Sequence, residues 1–339
     1  MKVVTFGEIM LRLAPEGYLR FGQSDKLEAT YGGGEANVAV SLANYGLSAA
    51  FVTKLPDNDI AKGAINSLRK YGVDTSSIAI GGERIGIYFL EKGASQRPSK
   101  VIYDRANSSI SQAKSEDFDF ESLLKGADWF HFTGITPALS DEVAEICKQA
   151  LKVAKKQNIT VSCDLNYRKK LWSKAKAKEV MEGLMQYVDV LIANEEDAAD
   201  VFGIYADNTD ITGGHISKEG YKTVAAKLIA KYGFKSVAIT LRGSISANDN
   251  IWSAMLYDGR EYYFSKEYNI HIVDRVGGGD SFGAGLIYGM LSYEDKQTII
   301  EFATAASCLK HSVQGDYNLV TVDEVVKLMQ GDGSGRVQR

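Results

Sequence analysis

Short apolar runs alternate along the chain with longer stretches in which apolar residues recur every three or four positions. The runs predict buried strands at residues 3–7, 129–133, 160–165, 188–193 and 236–241. The longer stretches predict helices at residues 141–156, 175–187, 219–232, 280–291, 294–311 and 322–330. Strands buried on both faces have near-continuous apolar runs, whereas helices packed on a sheet repeat their apolar face every three to four residues. The pattern therefore predicts an α/β fold, a three-layer α/β/α domain with a mainly parallel central sheet.

Some segments interrupt this alternation. Residues 9–13, 85–90 and 100–105 alternate apolar and polar side chains, and short polar turns rather than helices join them. A period of two is typical of half-buried strands, so these segments predict a separate small sheet. Residues 252–264 read as two strands around Asp258-Gly259, a dipeptide suited to a tight hairpin turn. They predict an antiparallel edge on the main sheet.

The chain of 339 residues is expected to form one large domain with a small appendage. α/β folds of roughly 250 residues or more often remain one cooperative unit. We assign residues 1–330 to this domain, with the strands of the small sheet inserted at about 9–34 and 85–108. Residues 331–339 are rich in glycine and predict a flexible tail.

Composition and charge narrow the classes of partner. Hydrophobic residues make up 45% of the chain and charged residues 24%, as in ordinary globular proteins with a buried core. With a formal net charge of -4, the chain has no overall basic field to hold nucleic acid or an anionic membrane. We therefore expect neither partner, and any anionic ligand must meet local positive groups.

The cysteines and the apolar segments indicate a cytoplasmic protein. Cys147, Cys163 and Cys308 are far apart, and each lies in an apolar stretch, which favours reduced, packed thiols. The first apolar run is too short for a secretory signal, and no later stretch approaches the roughly 18 apolar residues of a membrane span.

The strongest candidate for chemistry is DRVGGGDSFGAG at residues 274–285, where three glycines precede an acid at the start of an apolar helix. Without Cβ atoms, these glycines let backbone N–H groups converge on an anion, and the helix N-terminus adds partial positive charge. The segment therefore predicts a phosphate site. Asp280 is then either an ordinary helix cap or a general base beside the anion.

A second glycine-rich segment, YGGGEANVA at residues 31–39, precedes a predicted helix. Its glycines would let a ligand approach the backbone, and the Asn37 amide can donate and accept hydrogen bonds. A plain loop before a helix is the alternative. In this order, the two segments resemble the two signatures of the ribokinase-like (PfkB) sugar kinases, whose catalytic base matches Asp280. The resemblance covers essentially the whole chain and implies a ribokinase-like fold with a small β-sheet lid, and ATP and Mg²⁺ as cofactors.

The resemblance also implies which residues bind the nucleotide and its metal ion. NEED at residues 194–197 resembles the family's N-x-x-E element, which organises magnesium and phosphate through water, but Asp197 replaces the glutamate. Either Asp197 acts through an additional water or Glu196 substitutes for it, whereas an acidic helix N-terminus is the alternative for Glu195 and Glu196. ITLRGS at residues 239–244 resembles the strand end and turn that contact the nucleotide phosphates. Arg242 stands there in place of a glycine, with a surface turn residue as the alternative.

Two further segments bear on the substrate. YDR at residues 103–105 resembles the Y-x-R of the family's 2-keto-3-deoxygluconate kinases, and DLNYR at residues 164–168 resembles their D-x-N-x-R. Arg105 and Arg168 suit a substrate carboxylate, because a guanidinium offers planar, bidentate donors. A neutral sugar has no such need. A solvated strand end and a charged loop are the alternatives for the two arginines.

The resemblance thus implies an ATP-dependent kinase that converts 2-keto-3-deoxygluconate to its 6-phosphate and forms a homodimer or a larger homo-oligomer. A kinase for a neutral sugar such as fructose and a catalytically idle sugar-binding regulator are the alternatives. A dinucleotide-binding oxidoreductase is disfavoured, because no G-x-G-x-x-G follows the first predicted strand.

The expected site residues fall into four groups. The expected catalytic residues are Gly277, Gly278, Gly279 and Asp280. The expected sugar-acid contacts are Gly33, Gly34, Asn37, Tyr88, Tyr103, Arg105, Arg168 and Asp280. The expected ATP contacts are Asn166, Arg168, Asn194, Thr240, Arg242, Gly243, Gly277 and Gly279. The expected metal residue is Asp197.

Overall fold

The computed structural model describes residues 1–194, 196–205, 218–331 and 333. The tail predicted at residues 331–339 lies outside the described residues except at positions 331 and 333. In chain order the strands are β1 (Lys2–Phe6), β2 (Met10–Ala14), β3 (Glu28–Gly32), β4 (Ser48–Val52), β5 (Lys54–Leu55), β6 (Ala79–Ile80), β7 (Gly86–Glu91), β8 (Lys100–Asp104), β9 (Trp129–Thr133), β10 (Thr160–Asp164), β11 (Val190–Ala193), β12 (Ser236–Ser244), β13 (Asp249–Tyr257), β14 (Tyr262–Phe264) and β15 (Tyr268–His271).

The main sheet has the strand order β14-β13-β12-β11-β10-β9-β1-β4, and β15 also pairs with β13. Neighbouring strands run parallel from β4 to β12, whereas β13 runs antiparallel to β12, β14 and β15. The predicted mainly parallel sheet with an antiparallel edge is confirmed. Its parallel strands end at one edge of the sheet, where α/β folds place their ligands.

Helices lie between these strands in the chain and also follow β15. In chain order they are α1 (Gly34–Asn44), α2 (Asp59–Arg69), α3 (Phe120–Leu123), α4 (Asp141–Lys156), α5 (Lys174–Met185), α6 (Asp197–Phe202), α7 (Lys218–Tyr232), α8 (Gly278–Ser292), α9 (Lys296–Lys310) and α10 (Val322–Met329). The bounds of α4 coincide with the predicted residues 141–156. The Ser140 side chain accepts the Val143 N–H at 3.2 Å and so caps this helix at its start.

Two hydrophobic cores lie on opposite faces of the main sheet. Val4 and Phe6 of β1 point into the core that α4, α5, α6 and α7 cover. Val3, which directly precedes Val4, points into the core that α1, α2, α8, α9 and α10 cover. Successive strand residues face opposite sides of a sheet, so β1 contributes to both cores. The predicted three-layer α/β/α architecture is confirmed.

The small sheet has the strand order β3-β2-β7-β8. Its strands come from two parts of the chain, residues 10–32 and residues 86–104, and β2 runs parallel to β7 but antiparallel to β3. β5 and β6 form a separate two-stranded sheet. No helix within the described ranges combines the length and the apolar character needed to cross a membrane. Cys147, Cys163 and Cys308 are all free thiols.

Candidate active site

A cavity of about 400 Å³ opens at the carboxyl ends of the parallel strands and extends to the small sheet. Glu8 follows β1, Asp164 ends β10 and Ala193 ends β11, and all three line it. The predicted site residues that line this cavity are Gly33, Gly34, Asn37, Tyr88, Tyr103, Arg105, Asn166, Arg168, Asn194, Thr240, Arg242, Gly277, Gly278, Gly279 and Asp280. Two other predicted residues, Asp197 and Gly243, are not part of its lining.

Asp280 lies in the first turn of α8, for which Gly277 is the N-terminal cap with φ +84°. Asp280 is therefore not the cap of this helix. Its carboxylate accepts a hydrogen bond from Asn37 Nδ2 at 2.7 Å. Burial raises the pKa of Asp280 to about 6, although the Asn37 hydrogen bond and the Arg168 charge oppose this shift. A carboxylate with this pKa is ionised at neutral pH and basic enough to accept a proton.

Gly277 and Gly278, the first two of the three glycines before Asp280, are tightly enclosed. A Cβ added at Gly277 would lie 2.0 Å from the main-chain oxygen of Asp316, and one at Gly278 would lie 2.6 Å from the His311 ring. Neither position has room for a side chain. The main chain therefore forms this part of the cavity wall, with the N-terminal end of α8 behind it, as an anion site requires.

The other glycine-rich segment is anchored by Glu35, the second residue of α1. Its buried carboxylate accepts hydrogen bonds from the Thr133 N–H at 2.9 Å, the Thr133 hydroxyl at 2.8 Å and the Thr136 hydroxyl at 2.6 Å. Burial raises the pKa of Glu35 to about 7 despite these hydrogen bonds. A Cβ at Gly33 would lie only 1.9 Å from the Glu8 main-chain oxygen. The segment is thus held tightly against the ends of β1 and β9.

The two predicted carboxylate-binding arginines lie in the same cavity but differ in their surroundings. The Arg105 side chain is only 9% exposed and forms an ion pair with Glu8. Glu8 also accepts a hydrogen bond from the Ser108 hydroxyl at 2.7 Å, and the Arg105 guanidinium lies 5.4 Å from the centre of the Tyr103 ring. Arg105 is therefore not a solvated strand end. Arg168 is half-buried and donates to a main-chain oxygen at 3.2 Å.

The predicted nucleotide end lies along β12. Thr240 and Arg242 line the cavity there, together with Arg275. The turn expected within residues 239–244 is wrong, because β12 stays paired with β13 as far as Ser244. Burial and the Arg242 charge lower the pKa of Arg275, so two guanidiniums share this end of the cavity. Arginines suit phosphate oxygens because they bind them with two parallel hydrogen bonds.

The predicted metal segment forms a compact turn before α6. Asn194 Oδ1 accepts the N–H groups of Glu196 and Asp197 at 2.8 and 3.0 Å. The Asp197 carboxylate in turn accepts the N–H groups of Tyr167 and Asn194 at 3.1 and 3.2 Å. Glu195 lies outside the described residues. Asp197 therefore joins the turn to the segment after β10, while Asn194 and Glu196 line the cavity.

Comparison with known proteins agrees with this geometry. The sequence profile of the pfkB family carbohydrate kinases matches residues 1–322. The chain belongs to the PfkB family of carbohydrate kinases.

Individual members of the family match nearly the whole chain. The crystal structure of 2-dehydro-3-deoxygluconokinase from Thermotoga maritima is similar over 98% of both chains, with 56% sequence identity and a TM-score of 0.94. A 2-dehydro-3-deoxygalactonokinase from Haloferax volcanii is 33% identical over 98% of both chains. A 2-dehydro-3-deoxygluconokinase from Thermoproteus tenax is 27% identical over 93% of this chain and 90% of its own. The predicted sugar-kinase identity is thus confirmed.

Several residues of this PfkB site carried no assigned role in the sequence. Glu8 directly follows the first predicted strand, and a polar residue at the carboxyl end of a parallel strand is a signal that could have identified it. Asp164 was part of the DLNYR segment but had no function of its own. Asp316 follows α9 in a loop without a recognisable pattern, so only the fold brings it to the cavity.

Proposed function

We propose that the protein transfers the terminal phosphoryl group of ATP to the 6-hydroxyl of 2-keto-3-deoxygluconate. One observation carries this proposal: Asp280, the glycines at the start of α8, and the guanidiniums of Arg105 and Arg168 share a single cavity. A kinase for an acidic sugar needs a general base, an anion site and a carboxylate-binding group together. Its relatives from Thermotoga maritima, Haloferax volcanii and Thermoproteus tenax are named as kinases for 2-dehydro-3-deoxy sugar acids, which supports this substrate class.

In the proposed reaction, the substrate carboxylate binds to Arg105 and Arg168 while its 6-hydroxyl lies against Asp280. Asp280 accepts the hydroxyl proton as the oxygen–phosphorus bond forms and the bond to ADP breaks. Phosphoryl transfer places charge on the equatorial phosphoryl oxygens, which backbone N–H groups of Gly277 to Gly279 would stabilise. Closure of the small sheet over the sugar would exclude water and limit ATP hydrolysis.

We further propose Mg²⁺ as a cofactor that would neutralise the charge of the ATP phosphates during transfer. Asp164 and Glu196 face the cavity and would hold the ion through water, with Asp197 fixing the turn behind them. Burial, followed by the Asp197 and Asp280 charges, raises the pKa of Asp164 well above its ordinary value. A cation would relieve this repulsion. Among the described residues, no three acidic, histidine or cysteine side chains converge as metal ligands, so the phosphates and water must supply the remaining ligands.

A homo-oligomeric assembly through the small sheet is also part of the proposal. β3 and β8 are its edge strands, and β8 exposes the side chains of Ile102 and Tyr103. Leu27, directly before β3, is exposed as well. Light scattering after size-exclusion chromatography should give at least twice the mass of one chain, and a monomer at assay concentration would contradict this part of the proposal.

The substrate is tested by measuring ADP formation from ATP with a panel of acceptors. We expect turnover with 2-keto-3-deoxygluconate or its galactonate-derived epimer, and little with fructose, ribose or adenosine. Arg105→Met should raise KM for the keto acid about 10- to 100-fold, since a hydrogen bond to a charged group contributes roughly 1.5–3 kcal/mol. Preference for a neutral sugar would remove the roles proposed for the arginines, and no turnover with any sugar would favour a binding protein.

Arg84→Met is the matched control for Arg105→Met. Arg84 also lies beside the small sheet and also pairs with a carboxylate, Asp104, at 2.8 Å. Its side chain is 35% exposed and does not line the cavity. Loss of an exposed pair has little effect on stability. We therefore expect its KM for the keto acid to match that of the wild-type enzyme.

A further inference from the structure

A buried group of charged residues lies beside the glycines of α8 and has no role in the reaction as described. It consists of Arg12 on β2, Asp274 before the glycines, Lys310 at the end of α9 and Asp316 in the loop that follows. The side chains of Arg12, Asp274 and Asp316 are 3%, 1% and 2% exposed, and Lys310 is fully buried. Burying charges is costly even when they are paired, so ion pairs at this depth call for an explanation other than stability alone.

Arg12 is the centre of this group. Its Nη2 atom lies 2.6 Å from Asp274 Oδ2, and its Nη1 atom lies 2.7 Å from Asp316 Oδ1. One guanidinium therefore bridges two carboxylates that come from different segments of the chain. The planar fork of arginine suits this arrangement, because its N–H groups are held in fixed directions.

On one side, the bridge reaches the main chain of residues 276–279, which contain the three glycines before Asp280 and are called the phosphate loop below. Asp274 Oδ1 accepts the N–H of Val276, which directly precedes Gly277, at 3.2 Å. Asp274 Oδ2 accepts the N–H of Gly315 at 3.1 Å. Lys310 Nζ donates to the Asp274 main-chain oxygen at 3.4 Å. Asp274 thus anchors the residue that directly precedes the three glycines.

On the other side, the bridge reaches the small sheet. Asp316 Oδ2 accepts the Tyr88 hydroxyl at 2.5 Å, and Tyr88 is the register partner of Arg12 in the pairing of β2 with β7. The main-chain oxygen of Asp316 also packs directly against Gly277, at the position that a Cβ would need. A movement of β2 and β7 on sugar binding would therefore move both carboxylates that support the phosphate loop.

We propose that Arg12 is a positioning residue. It couples closure of the small sheet over the sugar to the geometry of the phosphate loop. This inference rests on the proposed kinase function of the same cavity. Arg12 does not line the cavity. It holds Asp274 and Asp316 so that the loop presents its N–H groups to ATP in the transfer geometry once the sugar is in place.

The test compares Arg12→Lys, Arg12→Met and the control Arg84→Met with the wild-type enzyme. Arg12→Lys keeps the charge but can no longer bridge both carboxylates with a rigid fork, and it remains usable if Arg12→Met does not fold. We expect kcat of Arg12→Lys to fall by about tenfold or more, because small displacements of reacting groups are costly, while KM for the sugar changes by less than about threefold.

A second readout separates positioning from a merely structural role. Calorimetry with a non-hydrolysable ATP analogue should show that sugar tightens nucleotide binding by about fivefold or more in the wild-type enzyme. In Arg12→Lys this ratio should approach one, whereas Arg84→Met should retain it. A lower melting temperature with an unchanged ratio and unchanged kcat would overturn the inference. So would a wild-type enzyme in which sugar does not alter nucleotide affinity.

The inference and the proposed substrate can fail separately. If the wild-type enzyme does not phosphorylate the keto acid, the proposed substrate is wrong. The Arg12 variants are then compared on whichever sugar the wild-type enzyme does phosphorylate, with the same two readouts and the same expected losses.

Discussion

The amide of Asn37 donates a hydrogen bond to the carboxylate of Asp280, with 2.7 Å between Nδ2 and Oδ2, although 243 positions separate the two residues in the chain. This contact joins the two glycine-rich segments, one at the start of α1 and the other at the start of α8. It also lowers the pKa of Asp280 against the larger effect of burial. The proposed base is thus oriented and tuned by the segment proposed to hold the sugar.

Replacing Asp280 by Asn should lower kcat by about a thousandfold, which lies within the usual contribution of a general base. The variant keeps the shape of the side chain and an acceptor for Asn37, so its melting temperature should stay close to that of the wild-type protein. ADP formation and thermal unfolding measure the two effects. Asp295→Asn is the matched control, because Asp295 also lies at a helix start but serves as the cap of α9. Comparable kcat in both variants would refute the assignment of the base.

The fall of kcat/KM on the acid side of the pH profile should reflect protonation of Asp280. With a pKa of about 6, the carboxylate becomes protonated below this pH and can no longer accept the hydroxyl proton. We expect kcat/KM to be constant above about pH 7 and to fall roughly tenfold per pH unit well below 6. In Asn37→Ala, loss of the hydrogen bond should raise the pKa of Asp280 and move this fall to higher pH. If the profile does not move, the fall of kcat/KM at low pH does not come from protonation of Asp280.

Replacing Glu8 by Gln should increase the rise in melting temperature that an acidic substrate causes. Glu8 is paired with Arg105, so its charge competes with the substrate carboxylate for the same guanidinium. Without a substrate, the variant should have a lower melting temperature, because a buried arginine without its partner costs about 3–5 kcal/mol. The keto acid should then raise the melting temperature more than in the wild-type protein. A smaller rise would instead mean that Glu8 holds Arg105 in its binding position.

Glu35 should make stability depend on pH. Its pKa is about 7 in the folded protein against an ordinary 4.5, so the folded state holds more protons than the unfolded state between these values. The free energy of unfolding should therefore fall by about 3 kcal/mol as pH rises through this window. Urea unfolding at pH 5 and pH 7.5 measures it.

Glu35→Gln should flatten this dependence, because the glutamine does not titrate. Its side-chain oxygen can still accept from the three donors that Thr133 and Thr136 supply. Glu179→Gln, at a side chain that is 74% exposed, serves as the control and should retain the wild-type pH dependence. An unchanged slope in Glu35→Gln would assign the dependence to other groups.

Local pattern predicted the elements and the segments that carry the chemistry. The bounds of α4 followed from its apolar spacing, and the glycines before Asp280 marked a main-chain approach that is tight at Gly277 and Gly278. These features are readable because their physical causes act between residues a few positions apart. The turn expected within residues 239–244 was wrong because pairing with β13, a tertiary contact, extends the strand through it.

The sequence by itself determined the α/β fold, the family and about half of the residues that line the cavity. Only the tertiary structure decided which charges face one another: Glu8 with Arg105, and Arg12 with both Asp274 and Asp316. These partners lie 97, 262 and 304 positions apart. No local periodicity links residues at such separations, because their contact depends on how the small sheet seats against the carboxyl ends of the main sheet. Burial then sets their energies, since each charge loses its water and depends on the partner that the fold supplies.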